Sequence, residues 1–336
     1  MPLADPVAVA VPVRDEAALL PGLLDALARQ TGAPAFTLCL FFDNCRDASA
    51  ERVASLADGL PYPIRSARCD RGGEPNAGLA RRQAMALAET VARDGILLTT
   101  DADGAPAPDW IAANLSALKA ADVVAGRILR QPGAPSAMQD RLEAYYDRLH
   151  ALRRSLDPVP WDAHPGHHWT SGASLAMRAA SYRRLGGFAA VPSGEDAALG
   201  DAAARAGLRV RRDAAVVVHT SARRAGRAGG GLATTLAAFD AAGGMPTVAH
   251  PDDEAWRYRM HAHARLLHGT GGYDALAAEL RLPLAEVDQV AAECRNGEAF
   301  AARIVGAPPG GMRAVGLGHA ERAIAALEQS GWRGAA

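Results

Sequence analysis

The chain has 336 residues, 49% of them hydrophobic, enough to build one large α/β domain or two smaller ones around a proper core. A formal net charge of −1 gives no global field to attract nucleic acid, so any polyanion has to be recognised locally. Cys39, Cys45, Cys69 and Cys294 form no C-x-x-C pair, no stretch approaches the ~18 apolar residues of a membrane helix, and no basic-then-apolar leader opens the chain; the expectation is a cytoplasmic protein with no nucleic-acid partner and no integral membrane segment.

Val7–Val13 reads as a first buried strand, followed by a leucine-striped helix over Ala17–Gln30. A second strand, Phe36–Phe42, ends at Asp43-Asn44, and Ala48–Leu56 returns as a helix. A weaker strand near Ile64–Arg68 leads into a loop, Asp70–Gly78, and then a helix over Leu79–Arg93. Ile96-Leu97-Leu98-Thr99-Thr100 is apolar and β-prone, and ends in Asp101-Ala102-Asp103 before Gly104, Pro106 and Pro108 stop it. Trp110–Ala120 is predicted helical, Asp122–Arg127 a strand, and Met138–Leu156 a long amphipathic helix with Leu142, Tyr145, Leu149, Leu152 and Leu156 on one side. The segment His164–Gly172 is dense in polar and aromatic groups, Ala173–Met177 is a short strand, and Gly186-Gly187 stops a helix. Gly194-Glu195-Asp196 opens a helix over Ala197–Ala206, Val210–Val218 is a strand ending at His219, and a basic, glycine-rich loop follows. The last hundred or so residues look helical.

Strands alternating with helices from the N-terminus imply βαβ units and a parallel sheet with right-handed crossovers. The polar residues gather after the strands, so Asp43, Asn76, Arg82, Asp101 and Asp103 would line one crevice at the carboxyl ends. Neither Gly-x-Gly-x-x-Gly after the first strand nor a Gly-x-x-x-x-Gly-Lys occurs, which disfavours the common dinucleotide and P-loop sites. Two carboxylates one residue apart suit Mg2+ or Mn2+, though taken alone such a pair more often caps a turn and the following helix.

The order of these motifs resembles glycosyltransferase family 2, the nucleotide-sugar enzymes with the GT-A fold. The resemblance runs through Val11–Glu16, Phe42-Asp43-Asn44, Asn76–Arg82 and Thr100–Asp103, then Gly172–Arg178, Gly186-Gly187-Phe188 and Gly194-Glu195-Asp196. It covers roughly Val7–Arg227 and implies a mixed, mostly parallel sheet flanked by helices. The domain division expected is a catalytic domain over 1–231 and a helical region over 232–336 that binds acceptor or makes a homodimer.

By that resemblance Pro12, Arg14 and Glu16 lie near the nucleoside, and Asp43 accepts from the N3–H of a pyrimidine, as an acceptor-only carboxylate can. Arg82 approaches the base or the phosphates, and Asp101 the ribose or the metal shell. Asp103 holds Mn2+ or Mg2+ across the diphosphate, with His219 completing the site. Asp196 is the general base for a one-step, inverting transfer from a UDP-linked sugar to a small-molecule or glycan acceptor, with Glu195 beside it. Arg223 and Arg227 close over the diphosphate, while His168, Trp169 and Gly172 lie on the acceptor side. Each has a plainer reading: a turn aspartate for Asp43, a solvated residue for Arg82, helix-start acids for Glu195 and Asp196, a buried histidine for His219, a solvated basic loop for the arginines.

A competing motif, His250-Pro251-Asp252-Asp253-Glu254, matches the zinc signature of N-acetylglucosaminyl-phosphatidylinositol de-N-acetylase-like enzymes. Only about eighty residues follow it, so a helix N-terminus is the preferred reading. The third alternative is a non-catalytic scaffold that binds sugar nucleotides.

Overall fold

The computed structural model describes residues 5–70, 72–131, 136–162, 165–224, 226, 232–242 and 245–330. β1 (Val7–Val13) is buried along its length apart from half-buried Pro12, as a continuous apolar run covered on both faces should be. After it come α1 (Leu20–Ala28), β2 (Phe36–Asp43), α2 (Ser49–Leu56), β3 (Ile64–Cys69), α3 (Ala77–Val91), β4 (Ile96–Thr99), β5 (Gly104–Pro106), α4 (Trp110–Ala117) and β6 (Val123–Arg130). Next are α5 (Ala137–Leu156), β7 (Leu175–Arg178), α6 (Ala179–Arg184), α7 (Glu195–Arg205), β8 (Val210–Thr220) and α8 (Leu232–Ala242). The chain finishes with β9 (Thr247–Ala249), α9 (Pro251–Leu267), α10 (Asp274–Leu280), α11 (Leu284–Glu293), α12 (Gly297–Ile304), β10 (Ala314–Gly316) and α13 (Leu317–Gln329).

These elements form two compact units, each discontinuous in sequence. The first gathers residues 1–135, 169–200 and 211–238. Its eight-stranded sheet has the order β3-β2-β1-β4-β7-β6-β8-β5. β3, β2, β1 and β4 run parallel; β7 runs against β4, and β6 against β7. This mixed, mostly parallel sheet flanked by helices is the fold class expected. Its core takes Val9, Val11, Leu38, Leu40 and Leu98 from the strands and Leu20, Leu23, Leu24 and Leu27 from α1. The helical stripe of α1 explains both its position and its burial.

Two features of the sheet create the crevice. β4 pairs with β1 only over Val7–Ala10, so beyond Ala10↔Thr99 the two chains part. That also explains a proline in a central strand, since Pro12 lies past the end of β4, where no N–H is needed on that side. Secondly, only Thr100–Asp103 separate β4 from β5, yet β5 pairs with β8 at the far end of the strand order. Four strand spacings in a flat sheet would span ~19 Å, more than this turned connection can reach, so the sheet curls. The expected strand therefore ends at Thr99, and Asp101 and Asp103 occupy the tight link, closed by Gly104 N–H donating to the Asp101 carbonyl at 3.0 Å. β5 itself was not foreseen.

The second unit gathers residues 136–168, 201–210 and 239–336. Tyr145, Leu149 and Leu152 of α5 pack with Ala255 of α9 and Leu317, Ala320 and Ile324 of α13. A second cluster joins Met260 and Ala264 of α9 to Leu276, Val287, Phe300 and Ile304. A two-stranded antiparallel ribbon, β9 with β10, adds strand to a region expected to be wholly helical. α5 packs with the C-terminal helices, so a single cut after residue 231 does not separate the two units. No helix among the described residues is long and apolar enough to cross a membrane.

Candidate active site

The loops after β1 and β2 are tied together before any function is considered. Asp15 and Asn44 hold left-handed backbone, φ 52° and 50°, which aspartate and asparagine tolerate better than most residues. Asp15 Oδ1 accepts from Arg46 N–H at 2.6 Å, Asp47 Oδ2 from Ala17 N–H at 2.9 Å, and Ser49 Oγ from Glu16 N–H at 2.9 Å. Arg14 donates to Asp43 Oδ2 at 3.2 Å, and Asn44 to Asp43 Oδ1 at 2.8 Å. The two expected nucleoside-side residues thus meet each other at the mouth of this loop pair.

Glu16 is buried, and Arg223, just beyond β8, grips it through both nitrogens at 2.7 and 2.5 Å. The same guanidinium lies 3.4 Å from Asp103 Oδ2. Burial, then the adjacent Asp101 charge, pushes the Asp103 carboxyl up to about 7, with Glu16 adding to the push and Arg223 opposing it. The hydrogen bonds from Arg223 to Glu16 favour its cation.

Arg81 occupies the centre of the crevice, and sequence reasoning missed it in favour of its neighbour. Asn76 caps α3 by accepting from Leu79 N–H at 2.7 Å, and a Cβ on Gly78 would stand 2.0 Å from the Ala189 carbonyl oxygen, so glycine lets α3 dock there. With α3 so placed, Arg81 Nε donates to Glu195 at 3.0 Å, Nη1 to Thr99 Oγ1 at 3.1 Å and the Gly172 carbonyl at 2.9 Å, and Nη2 to Asp101 at 2.7 Å. Burial works against its charge, but Asp101 and Glu195 together outweigh that and raise its pKa further. Arg82 points elsewhere, donating to the Phe188 carbonyl at 3.4 Å. A helix turns ~100° per residue, so neighbouring arginines face different surroundings. The signal was present: Gly78, Arg81, Met85 and Ala88 share the buried stripe of α3, and an arginine in that stripe needs acid partners.

On the other side of Arg81, Glu195 and Asp196 open α7 and take different roles. Glu195 is buried against Arg81, whereas Asp196 is half-exposed. Asp196 Oδ2 accepts from Gly172 N–H at 2.9 Å and its Oδ1 from Ala197 N–H at 2.8 Å, leaving each oxygen a further lone pair. A Cβ on Gly172 would come 2.3 Å from Arg81 Cζ, so any larger residue there would have to displace the guanidinium from its place.

His219 lies in β8 opposite Ala105, and Asp101, Asp103 and His219 do not bring three ligand atoms within 4.8 Å of one another. Among the described residues the group that does is Asp15, Cys45 and Asp47, whose carboxylates stitch the two loops. Trp169 packs against the core of the first unit. His168 belongs to the second unit, where Asp147 accepts from its backbone N–H at 3.1 Å and meets Nδ1 at 2.7 Å. Arg227 lies outside the described residues. In the second unit His250 caps α9, accepting from Asp252 N–H at 3.2 Å, and Asp253 is chelated by Arg313, whose Nη2 approaches to 2.6 Å. That is the helix-start reading of the His250 motif, with its acid committed to an ion pair.

Around Asp103 the charges do not cancel. Among the described ion pairs, Glu16, Asp101, Asp103 and Glu195 stand against Arg81 and Arg223, a surplus of two carboxylates. Hard oxygen donors carrying excess negative charge suit a small divalent cation, and Thr100 Oγ1 beside them is buried without a partner. The residues present therefore fit Mn2+ or Mg2+ at Asp103 and Asp101.

Comparison with known proteins adds a family. The model of Glycosyl transferase family 2 matches residues 8–176, half of the chain. Among solved structures, the chain is similar to TarS 1-349 of S. aureus in complex with UDP-GlcNAc, at 15% identity over 85% of this chain and 79% of that one, TM-score 0.49. It is also similar to the mannosyltransferase PcManGT of Pyrobaculum calidifontis in complex with GDP-Man and Mn2+, at 18% identity over 90% and 86% of the two chains, TM-score 0.48. A mycobacterial protein aligns at 18% identity over 64% of this chain and 65% of its own, TM-score 0.40. No curated protein sequence matches the chain.

Proposed function

The chain belongs to glycosyl transferase family 2, and from that premise we propose that it is a divalent-metal-dependent, inverting glycosyltransferase taking sugar from a nucleoside diphosphate, UDP in the first place, to a hydroxyl of a small-molecule or glycan acceptor. The observation that carries this reading is the surplus of carboxylate gathered around the β4–β5 link, where partial burial and Asp101 push Asp103 up to about 7. A leaving nucleoside diphosphate brings more negative charge, so the cluster makes sense as half of a site whose other parts are a cation and its ligand.

Each residue then has a task. Asp43, at the end of β2, accepts from the imide N–H of a pyrimidine, and Arg14 holds its other oxygen. Pro12 and Glu16 border the nucleoside, with Glu16 anchoring Arg223 near the diphosphate. Asp103 and Asp101 would hold Mn2+ or Mg2+, which would supply charge neutralisation for the departing diphosphate. His219 would have to come closer to Asp101 and Asp103 to serve as a third ligand, and Arg227 would add a diphosphate contact. Asp196 takes the proton of the acceptor hydroxyl while that oxygen attacks the anomeric carbon and the carbon–oxygen bond to the diphosphate breaks. A single displacement of this kind inverts the anomeric centre. Glu195 acts on the site through Arg81, Trp169 and Gly172 are assigned to the acceptor side, and His168, held by Asp147 in the second unit, is a further acceptor-binding candidate. The 232–336 region serves the acceptor or a homodimer contact, and the four free cysteines support a reducing, cytoplasmic setting.

The test is release of nucleoside diphosphate from UDP-, GDP- and dTDP-sugars with and without Mn2+. The reading expects release that needs the cation and vanishes in Asp103→Asn and Asp196→Asn; full activity in both variants would sink it.

A further inference from the structure

We infer that Arg81 is a positioning residue that fixes the donor-side carboxylate Asp101 and the acceptor-side carboxylate Asp196 in one rigid frame. This rests on the transferase reading above. The guanidinium is buried and uses four of its five N–H groups, one each on Glu195, Thr99, Gly172 and Asp101. Those partners come from four separate places in the chain: the end of β4, the link to β5, the turn before β7 and the start of α7.

Two routes leave this hub. One is direct, to Asp101 on the diphosphate side. The other runs through the backbone at Gly172, whose carbonyl accepts from Arg81 while its N–H donates to Asp196 at 2.9 Å. Glu195 braces the same helix start one residue away. The Phe188 ring, 5.8 Å from Arg81 Cζ, covers the guanidinium, and the missing Cβ of Gly172 leaves room for it. A planar fork satisfies four acceptors at fixed angles, which a lysine ammonium cannot reproduce. In-line displacement requires the base and the departing phosphate to keep their separation closely, and a misplacement of about 1 Å costs on the order of a hundredfold in rate. Arg81 supplies that constraint without touching the reacting atoms.

Removing Arg81 alone strands Glu195, so the decisive variant is the double substitution Arg81→Met/Glu195→Gln, which deletes the buried pair together. Circular dichroism checks that it is folded. Calorimetry with UDP and Mn2+ measures donor-side affinity, and nucleoside diphosphate release is followed with whichever of UDP-glucose, UDP-N-acetylglucosamine and GDP-mannose the wild type turns over. The expected result is affinity within about threefold of wild type, kcat lower by about a hundredfold, and faster amide exchange across residues 170–176 and 194–200. Unchanged kcat in the folded double variant overturns the inference, as does a loss confined to donor affinity. Unchanged exchange at 194–200 also overturns it. Should the wild type release nothing from any donor, the transferase reading fails instead, while the exchange measurement still decides whether Arg81 holds the Asp196 segment.

Discussion

The crevice of the first unit and the helical second unit handle charge differently. In the second unit the charges come closer to balance, four acids on three guanidiniums among the described pairs. Arg265 pairs with both Asp157 and Glu298, Arg154 with Asp157 and Asp162, and Arg313 chelates Asp253. Each of these acids is tied to a guanidinium, and the pairs of Arg265 and Arg313 join segments far apart in sequence. In the crevice four carboxylates meet two guanidiniums among the described ion pairs, and one carboxyl is pushed well above its ordinary range. Paired charges are architecture; a surplus held in place by folding is what a site for a cation and its ligand needs. Ion-pair density alone would have ranked the two regions alike.

The contrast can be broken most sharply at Asp103. Asp103→Asn is expected to lower nucleoside diphosphate release at least a thousandfold on the order expected for removing a charge-stabilising group, while leaving the metal-free protein as stable as wild type or more so. A thermal melt beside the activity assay checks both halves, and a variant that loses stability and activity together would make Asp103 structural. Next comes Asp196→Asn, for which kcat should fall by roughly 10²–10⁴ with donor affinity unaltered, the span usual for a general base. Steady-state kinetics with an unchanged calorimetric Kd would establish it.

The second unit predicts the reverse pattern. Arg265→Met strands Glu298 and leaves Asp157 to Arg154 alone, and should cost about 3–5 kcal/mol of stability in urea unfolding, with kcat per folded molecule preserved. Selective loss of kcat there would mean that the paired charges serve catalysis too. A smaller effect tests the sign at Asp103. Its folded pKa, about 7, lies above the ordinary 3.8, so its protonated form stabilises the metal-free fold fully below pH 4, and that contribution is lost as the pH rises through 7. Measured against Asp103→Asn, wild-type stability without metal should therefore decline between those limits, and a flat difference would remove the basis for the raised value. At the small end, Arg141→Ala at the exposed pair with Glu321 should leave the urea-unfolding midpoint close to that of wild type, because solvent screens the pair.

What could be read from the chain follows the range of the interactions. β1, β2 and β4 are continuous apolar runs, and α1 and α5 carry clear stripes, so local pattern located them. β5, Gly104-Ala105-Pro106, has no strand propensity of its own and exists because β8 pairs with it; β9 and β10 exist in the same way. The acids Asp43, Asp101, Asp103, Glu195 and Asp196 were legible because strand ends and a helix start announce them. Their partners were not. Arg223 meets Glu16 across 207 residues, and choosing Arg81 over Arg82 depended on which side of α3 faces β4. Separating Glu195 from Asp196 needed the same information, since the buried one is decided by the arginine it meets.

Calorimetric titration of UDP into the wild type and Asp103→Asn, each with and without Mn2+, is the most direct measurement of whether the surplus carboxylates form a cation-and-diphosphate site. Wild type should bind UDP at least about tenfold more tightly with Mn2+, a gain of about 1.4 kcal/mol, and Asp103→Asn should lose that gain while keeping its metal-free affinity. Equal Mn2+ enhancement in both proteins would contradict the assignment and move the cation away from Asp103.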